Sequence, residues 1–167
     1  MNTARLQSVE AISFALRSLY RSHGYLRYKM NKFEEYDFYV RNKDFLVSDQ
    51  IITFSGARGK LMALKPDVTL SIVKNAPEAP GVVQKVYYNE NVYRDYREIM
   101  QAGLECIGDI DLYDIFETVS LAAQSLALVS QDFVLQISHL GILEAVLTAA
   151  CPDPGFRQQA TAFLAQK

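Results

Sequence analysis

The sequence has very few residues of the kinds that hold metal ions or disulfides. Its 167 residues include two cysteines and two histidines. Cys106 and Cys151 lack the CxxC spacing of zinc and redox motifs, and neither His23 nor His139 has a Cys, Asp or Glu neighbour at ligand spacing. We therefore expect buried free thiols, with no metal site, no disulfide and no cofactor.

Long apolar runs and a strong charge imbalance are also missing. No apolar stretch reaches the roughly 18 residues that a membrane span needs, and no basic-then-apolar leader opens the chain. The net charge is −2, from 17 basic and 19 acidic side chains, which is unlike the basic footprint of a nucleic-acid-binding protein. We expect a water-soluble, cytoplasmic protein with no membrane partner, long enough for one domain with a substantial core.

Two common sequence motifs of catalysis are absent as well. The stretch GARG, residues 56–59, lacks the lysine and the strand–loop–helix setting of a phosphate-binding P-loop. No nucleophile-elbow sequence occurs either. The sequence therefore predicts neither a P-loop nucleotide site nor a serine-hydrolase site.

The hydrophobic pattern predicts helices in several parts of the chain. Over residues 4–23, apolar side chains recur every three or four positions, and Gly24 is a suitable stop. Asp67 and Asp111 are suitable N-terminal caps for two later helices. The other predicted helices are residues 67–75, 112–129 and 141–150, with one more starting after residue 151.

Strands are predicted between these helices, mostly as hairpins. Residues 51–64 have two apolar runs around a glycine-containing turn, which is typical of a β-hairpin, and residues 99–107 alternate as a strand does. Further strands are predicted at residues 25–30, 82–88, 91–94 and, as a buried strand, 133–137. Because hairpins outnumber βαβ units, we expect an α+β fold: an antiparallel β-sheet flanked by helices.

Polar residues in two of these segments are candidates for a binding pocket. On the strand, Gln101 and Glu105 point to one face about 13 Å apart, with Gly103 between them. Such a line on an apolar strand suits a pocket floor, and a solvent-exposed edge strand is the alternative. Asp67 and Thr69 stand where an apolar run gives way to a helix, so they suit either a helix start or the partner of a charged ligand.

Two arginines bracket a predicted tight turn between strands. Arg94 and Arg97 stand on either side of it, with Asp95 and Glu98 beside them. Arginine at a strand end suits bidentate capture of a phosphate or a carboxylate. Surface charge with local salt bridges is the alternative reading.

Three segments in this order resemble the catalytic core of class II histidyl-tRNA synthetases. More closely, they resemble the non-catalytic paralogue of those enzymes, the regulatory subunit of ATP phosphoribosyltransferase. The segments are GKLMALKPDVTLSIVK, VVQKVYYNENVYRDYREIMQAGLECIG and FVLQISHLGILEAVL. The resemblance implies a class II synthetase-like core over residues 1–150, truncated before the third class II motif. Residues 151–167 would then begin a helical insertion or a C-terminal extension.

The resemblance also implies roles for the candidate residues. In the synthetases the first segment reads Arg-Pro-Glu-Gly-Thr, and its acidic residue and threonine hold the α-amino group of histidine. Asp67 and Thr69 take those places in this chain. Gln101 and Glu105 match the glutamine and glutamate that line the histidine pocket, and Arg94 matches the phosphate-binding arginine of the second motif.

Departures from the synthetase pattern favour the regulatory paralogue. In synthetases a long loop after the motif arginine grips ATP and the tRNA acceptor end, whereas YRDYRE, residues 93–98, has almost no loop. Pro-Asp-Val-Thr, residues 66–69, fits the regulatory paralogues better than Pro-Glu-Gly-Thr. The glycine-rich histidine signature and the third motif do not occur in these 167 residues.

The resemblance therefore implies a regulatory protein of histidine biosynthesis that is not an enzyme. It would bind L-histidine, form a homodimer through its first helix and the strand after Gly24, and assemble with the catalytic subunit of ATP phosphoribosyltransferase. No tRNA partner is expected. Two alternatives stay open: a fragment of a histidyl-tRNA synthetase that activates histidine with ATP, and a scaffold that kept the fold without a ligand.

Overall fold

The computed structural model describes residues 3–46, 51–76, 80–137, 139–151 and 153–164, and this part of the chain alternates helices with short and long strands. The elements are α1 (Thr3–Ser22), β1 (Leu26–Arg27), β2 (Phe33–Glu35), α2 (Tyr36–Arg41), β3 (Thr53–Ser55), β4 (Leu61–Leu64), α3 (Thr69–Asn75), β5 (Val83–Arg94), β6 (Arg97–Gly108), α4 (Leu112–Val129), α5 (Leu140–Ala150) and α6 (Pro154–Leu164).

The strands form two three-stranded sheets. In the first, β5 lies between β1 and β6; it pairs antiparallel with β6 over its whole length and parallel with the two residues of β1. In the second, β4 lies between β2 and β3, and both pairings are antiparallel. The predicted α+β fold, an antiparallel sheet flanked by helices, is confirmed.

The β5–β6 hairpin has two differently covered faces, because successive strand residues point to opposite sides. On one face Tyr87 packs with Leu16 and Tyr20 of α1 and with Leu121 of α4. The hydroxyl of Tyr20 also lies 2.9 Å from that of Ser125 on α4. This face therefore holds the core beneath two helices.

The opposite face of the hairpin is covered by the start of α3 and by the segment after β1. Its core consists of Met30, Val68, Ile72, Val86, Tyr88 and Val92. Since Gln101 and Glu105 pair with Glu90 and Val86 across the hairpin, they belong to this same face. The fold thus places the candidate residues of β6 beside α3.

Helix α4 is attached to the sheet by ion pairs as well as by apolar packing. Lys85 Nζ on β5 lies 2.8 Å from Asp114 Oδ1 and 2.7 Å from Glu117 Oε2. The hydrogen bonds that Lys85 donates to these two carboxylates raise the pKa of Lys85, and the Lys85 ammonium lowers the pKa of Asp114. Helix α4 begins with a capping box between Asp111 and Asp114, so the predicted cap at Asp111 is confirmed.

By length and composition alone, α4 is one helix in the described ranges that could cross a membrane. Its contacts give a different account of that apolar character. Leu121 is fully buried in the core shared with α1, and Asp114 and Glu117 hold Lys85. We therefore assign α4 to the folded unit around the β5–β6 hairpin.

The predicted buried strand at residues 133–137 is wrong. These residues have no regular secondary structure, and most of their apolar side chains are exposed, with Val134 at 89% and Ile137 at 62%, while Leu135 is half-buried. A strand needs a neighbour for its backbone N–H and C=O groups, and in the described ranges no strand pairs with this segment. Four apolar residues within a five-residue segment are therefore not sufficient to predict a strand.

Other predicted elements differ from the structure in extent. The strand expected at residues 25–30 is limited to Leu26–Arg27, and the strands expected at 82–88 and 91–94 are one continuous strand, β5. Residues 31–40, which the sequence pattern left unassigned, contain β2 and most of α2. The predicted hairpin at residues 51–64 is confirmed as β3 and β4.

Contacts divide the chain into two compact units, residues 1–133 and 134–167. In the second unit, helices α5 and α6 pack together, and Arg157 donates a hydrogen bond to the Thr148 hydroxyl at 2.9 Å. Both helices were expected from the sequence. The contacts group α5 with α6, and the expected domain boundary after residue 150 stays a prediction.

Candidate functional site

The start of α3 and the middle of β6 meet at the candidate site. Thr69 Oγ1 donates a hydrogen bond of 2.5 Å to Glu105 Oε1. Asp67 precedes the helix by two residues, and its Oδ1 accepts a hydrogen bond of 2.9 Å from the backbone N–H of Leu70. Asp67 therefore caps the first turn, as expected, although the helix itself begins at Thr69.

A second group of polar side chains lies further along the same face of the hairpin. Arg94 Nη2 donates to Gln101 Oε1 at 2.9 Å, and Gln101 Nε2 donates to the Tyr88 hydroxyl at 3.4 Å. The Thr69 side chain also acts on the Tyr88 hydroxyl, because it opposes the rise in the pKa of Tyr88. Tyr88, opposite Gly103, thus lies between the group at Gln101 and the group at Glu105.

Tyr88 belongs to the site although its position in the sequence did not predict it. It is directly opposite Gly103 in the β5–β6 register, and a Cβ atom built on Gly103 would lie 2.6 Å from the Tyr88 hydroxyl oxygen. The absent side chain at Gly103 therefore makes room for the Tyr88 ring and does not leave an open pocket floor. The sequence contains a signal for this pair. If the hairpin turn consists of the two residues 95 and 96, Tyr88 and Gly103 are directly opposite each other, and an aromatic residue commonly packs over a glycine on the neighbouring strand.

Burial determines the protonation behaviour of the site. It is the main cause that raises the pKa of Glu105; the hydrogen bond from Thr69 opposes this rise and the negative charge of Asp67 adds to it. Burial also raises the pKa of Tyr88, and the charge of Glu105 adds to that shift. A partly buried carboxyl group of this kind gains from a cationic partner.

The two arginines at the turn of the β5–β6 hairpin differ in burial and in hydrogen bonding. Arg94 is partly buried, and its Nε atom is buried without a hydrogen-bond partner among the described residues. Arg97 is exposed, and it stands outside the hydrogen-bonded group although it pairs with Arg94 in register. Of the two predicted anion-binding residues, the structure places only Arg94 beside the other candidates.

The turn between the arginines consists of two residues. Asp95 and Tyr96 both have positive φ angles, 49° and 59°, which are typical of a type I′ hairpin turn. Strand pairing continues up to Arg94 and Arg97 on either side. The predicted tight turn is confirmed, and no loop extends from this end of the hairpin.

This arrangement suits a small zwitterion better than a metal ion or a reactive group. Asp67 and Glu105 supply negative charge at one end, and Arg94 supplies positive charge at the other, with Gln101 between them. Carboxylates and guanidinium groups form strong charge-assisted hydrogen bonds with ammonium and carboxylate groups, respectively. Within the described ranges, no cluster of three His, Cys, Asp or Glu side chains could hold a metal ion.

Comparison with known proteins gives a family match over the whole chain and relatives of two kinds. The family model described as "Histidyl-tRNA synthetase" matches residues 1–167. A histidine–tRNA ligase of Methanococcus vannielii is 27% identical over 145 residues, which cover 78% of this chain and 34% of that protein. An ATP phosphoribosyltransferase regulatory subunit of Bacillus mycoides is 25% identical over 148 residues, which cover 83% of this chain and 35% of that protein. The chain spans about a third of the length of these curated relatives.

Solved structures show the same fold. A protein of Bacillus halodurans C, described as an ATP phosphoribosyltransferase regulatory subunit/histidyl-tRNA synthetase, matches with a TM-score of 0.71 and 22% identity, over 95% of this chain and 44% of that one. A chain of the ATP phosphoribosyl transferase (HisG:HisZ) complex from Thermotoga maritima matches with a TM-score of 0.52 and 18% identity, over 70% of this chain and 41% of that one. At these identities the two matches establish the fold: a class II synthetase-like core.

Proposed function

The chain belongs to the histidyl-tRNA synthetase family, and from that membership we propose that it acts as a non-catalytic regulatory subunit of ATP phosphoribosyltransferase. In this role it binds L-histidine, the end product of the biosynthetic pathway, and assembles with the catalytic subunit. Histidine then favours one arrangement of the hetero-oligomer over another. Such allosteric coupling between two binding events is typically worth about 1–3 kcal/mol.

The two-residue turn between Arg94 and Arg97 carries this proposal. By the resemblance described above, synthetases have a long loop at this position that grips ATP and the tRNA acceptor end. Here β5 and β6 pair up to the turn, and only Asp95 and Tyr96 connect them. A hairpin without this loop lacks the groups that would position ATP for attack, and positioning accounts for much of catalysis in adenylate formation.

The hydrogen-bonded group on the hairpin supports histidine as the ligand. Asp67 and Thr69 would take the α-amino group, Gln101 and Glu105 would line the imidazole side of the pocket, and Arg94 would meet the carboxylate. The burial that raises the pKa of Glu105 also lowers the effective dielectric constant around a bound cation. A positively charged amino group or imidazolium would therefore be favoured next to Glu105.

The proposed partners follow from the relatives. The Bacillus mycoides relative is named as the regulatory subunit of ATP phosphoribosyltransferase, and the Thermotoga maritima structure is of the assembled transferase complex. We propose that this chain likewise forms a homodimer within a hetero-oligomer with the catalytic subunit, in the cytoplasm and without tRNA.

Isothermal titration with L-histidine, and then with ATP, tests the proposal. We expect saturable heat with histidine and none with ATP. Glu105→Gln should weaken histidine binding, whereas Glu98→Gln, on the opposite face of the same strand, should not. Activity of the catalytic subunit, measured with this chain present, should fall as histidine is added; activity that is independent of histidine would contradict the regulatory role.

A fragment of a histidyl-tRNA synthetase is the second candidate, because the Methanococcus vannielii relative, at 27% identity, is named as a histidine–tRNA ligase. ATP binding distinguishes the two. A synthetase core should bind ATP beside histidine, and exchange of pyrophosphate into ATP should then depend on histidine. Either result would replace the regulatory proposal.

A scaffold that kept the fold without a ligand is the third candidate. The observation that favours it is the Tyr88 ring, which occupies the space above Gly103. The absence of heat with L-histidine, from a protein whose circular dichroism shows the folded state, would support this reading. If histidine analogues displace bound L-histidine from this chain in the presence of the catalytic subunit, the scaffold reading is contradicted.

A further inference from the structure

Lys65 is a buried lysine beside the candidate site that none of the proposed ligand contacts uses. It follows β4 directly, and its residue exposure is 2%. Its Nζ donates a hydrogen bond of 2.7 Å to Ser71 Oγ on α3. Within the described ranges, no carboxylate lies at ion-pair distance from it. A buried ammonium group without a carboxylate partner is unfavourable, so its presence calls for a reason.

Burial has the largest effect on the pKa of Lys65. Burial lowers its pKa; Glu34 on β2 and Glu90 on β5 oppose this change by their charge, and Lys74 on α3 adds to it. These acidic groups act at a distance and do not hold the ammonium group. The direct hydrogen bond that does hold it goes to Ser71.

The backbone of Lys65 is held by β5 and by the residue that precedes β2. Its N–H donates to the carbonyl oxygen of Lys32 at 3.1 Å, and its carbonyl oxygen accepts from the N–H of Tyr93 on β5 at 2.9 Å. Ser71 is also held, since its carbonyl oxygen accepts hydrogen bonds from the Tyr28 hydroxyl at 3.1 Å and from Asn75 at 2.7 Å. Lys65 and Ser71 are therefore two anchored points that one hydrogen bond joins.

Asp67 and Thr69 lie between these two points in the chain. The hydrogen bond from Lys65 to Ser71 spans six residues and closes the segment in which Thr69 contacts Glu105 and Asp67 acts on Glu105 by its charge. Within the segment, the N–H of Leu70 bonds to Asp67 Oδ1. Loss of the hydrogen bond between Lys65 and Ser71 would give residues 65–71 more conformational freedom and so weaken the Thr69–Glu105 contact.

We propose that Lys65 is a positioning residue of the ligand site: its hydrogen bond to Ser71 holds Asp67 and Thr69 in place for the ammonium group of the bound amino acid. The identity of the ligand rests on the proposed function, whereas the closure of residues 65–71 rests on the structure alone. Lys65 need not touch the ligand, because it acts through the segment that it closes.

Amide hydrogen exchange of the unliganded chain tests the closure independently of any ligand. In Lys65→Met and in Ser71→Ala, the Leu70 amide should exchange about fivefold faster than in the wild type, because the cap from Asp67 is loosened. The matched control is the Asp114 amide, which Asp111 caps at the same distance of 2.9 Å. Unchanged exchange at Leu70, or equal acceleration at Asp114, would overturn the proposal.

Histidine affinity tests the functional consequence. Lys65→Met and Ser71→Ala should each weaken binding about tenfold, and the double variant should be no weaker than either single one, because both remove the same hydrogen bond. Lys85→Met, which breaks the ion pairs to α4, should lower the melting temperature without changing the affinity. If the losses of affinity add in the double variant, Lys65 and Ser71 do not act through one shared hydrogen bond. If Lys85→Met loses as much affinity, Lys65 acts only through general stability. Either result would overturn the positioning role.

The two experiments separate failure of this inference from failure of the proposed function. If the wild type binds no histidine, the proposed ligand is wrong, and the exchange of Leu70 still decides whether Lys65 closes the segment. If the wild type binds histidine, and Lys65→Met and Ser71→Ala bind it as tightly as the wild type does, the proposed function stands and the positioning role of Lys65 is refuted.

Discussion

Thr69 Oγ1 lies 2.5 Å from Glu105 Oε1, although the two residues are 36 positions apart in the chain. This hydrogen bond joins the start of a helix to the middle of a strand on a buried face of the sheet. In the unliganded protein the hydroxyl group therefore partly satisfies a carboxylate that has lost water. A ligand that brings a positively charged group next to Glu105 would compete with Thr69 for the same carboxylate.

We expect Glu105→Gln to weaken histidine binding by about tenfold or more, because a buried charge-assisted hydrogen bond is worth roughly 1.5–3 kcal/mol. The amide keeps the size of the carboxyl group and can still accept a hydrogen bond from Thr69. Titration calorimetry at pH 7 measures the change. Affinity equal to that of the wild type would remove Glu105 from the site.

The same variant should alter how stability depends on pH. The pKa of Glu105 is raised from its ordinary 4.5 by burial, so the folded state holds this proton more tightly than the unfolded state does. Its contribution is therefore most favourable below the unfolded-state pKa, and it is lost as pH rises from there through the folded-state pKa. Urea denaturation from pH 4 to pH 8 should show the wild type losing stability relative to Glu105→Gln, and parallel curves would contradict the assignment.

Gly103→Ala should destabilise the fold by about 1–3 kcal/mol, because the added methyl group overlaps the ring of the buried Tyr88. The new Cβ would lie 2.6 Å from the Tyr88 hydroxyl oxygen and 2.8 Å from Cζ. In a Tyr88→Leu background the same change should cost much less, since the overlapping atoms are gone. A double-mutant cycle by urea denaturation measures this coupling, and equal costs in both backgrounds would show that Tyr88 does not occupy the space.

Tyr96→Gly should stabilise the hairpin by about 1 kcal/mol, because a left-handed φ angle is costly for a residue with a side chain. Tyr96 has a φ of 59° and is largely exposed, so little packing is lost. Ala102→Gly, at an exposed position within β6, is the control and should destabilise. Denaturation midpoints measure both, and a destabilised Tyr96→Gly would indicate that the side chain has contacts that favour the strained turn.

Lys85→Met should lower the melting temperature and flatten the acid limb of the stability curve. The pKa of Asp114 is depressed by Lys85, so its contribution is present above the unfolded-state pKa of about 3.8 and is lost as pH falls through the folded-state value. Without Lys85 this contribution disappears, and stability should change less between pH 5 and pH 3. Thermal melts across this range test it; an unchanged acid limb would contradict the role of the ion pair.

Much of the fold was predictable because its signals are local. The helical period of α1 and α4, the cap at Asp111 and the turn residues of the hairpins depend on neighbours within a few positions. The shared face of Gln101 and Glu105 follows from their four-residue spacing in one strand, and the register of β5 and β6 follows from the two-residue turn.

The sequence by itself determined which polar residues the chain carries and which of them share a strand face. Only the tertiary structure decided that the start of α3 meets β6, that Tyr88 fills the space above Gly103, and that residues 133–137 are largely exposed and pair with no strand in the described part of the chain. The physical reason is that burial and strand pairing depend on segments distant in the chain, so no local pattern reveals them. Lys65 shows this most clearly: in the sequence it is an ordinary lysine before a proline, and its burial against Ser71 arises only when two sheets and a helix pack together.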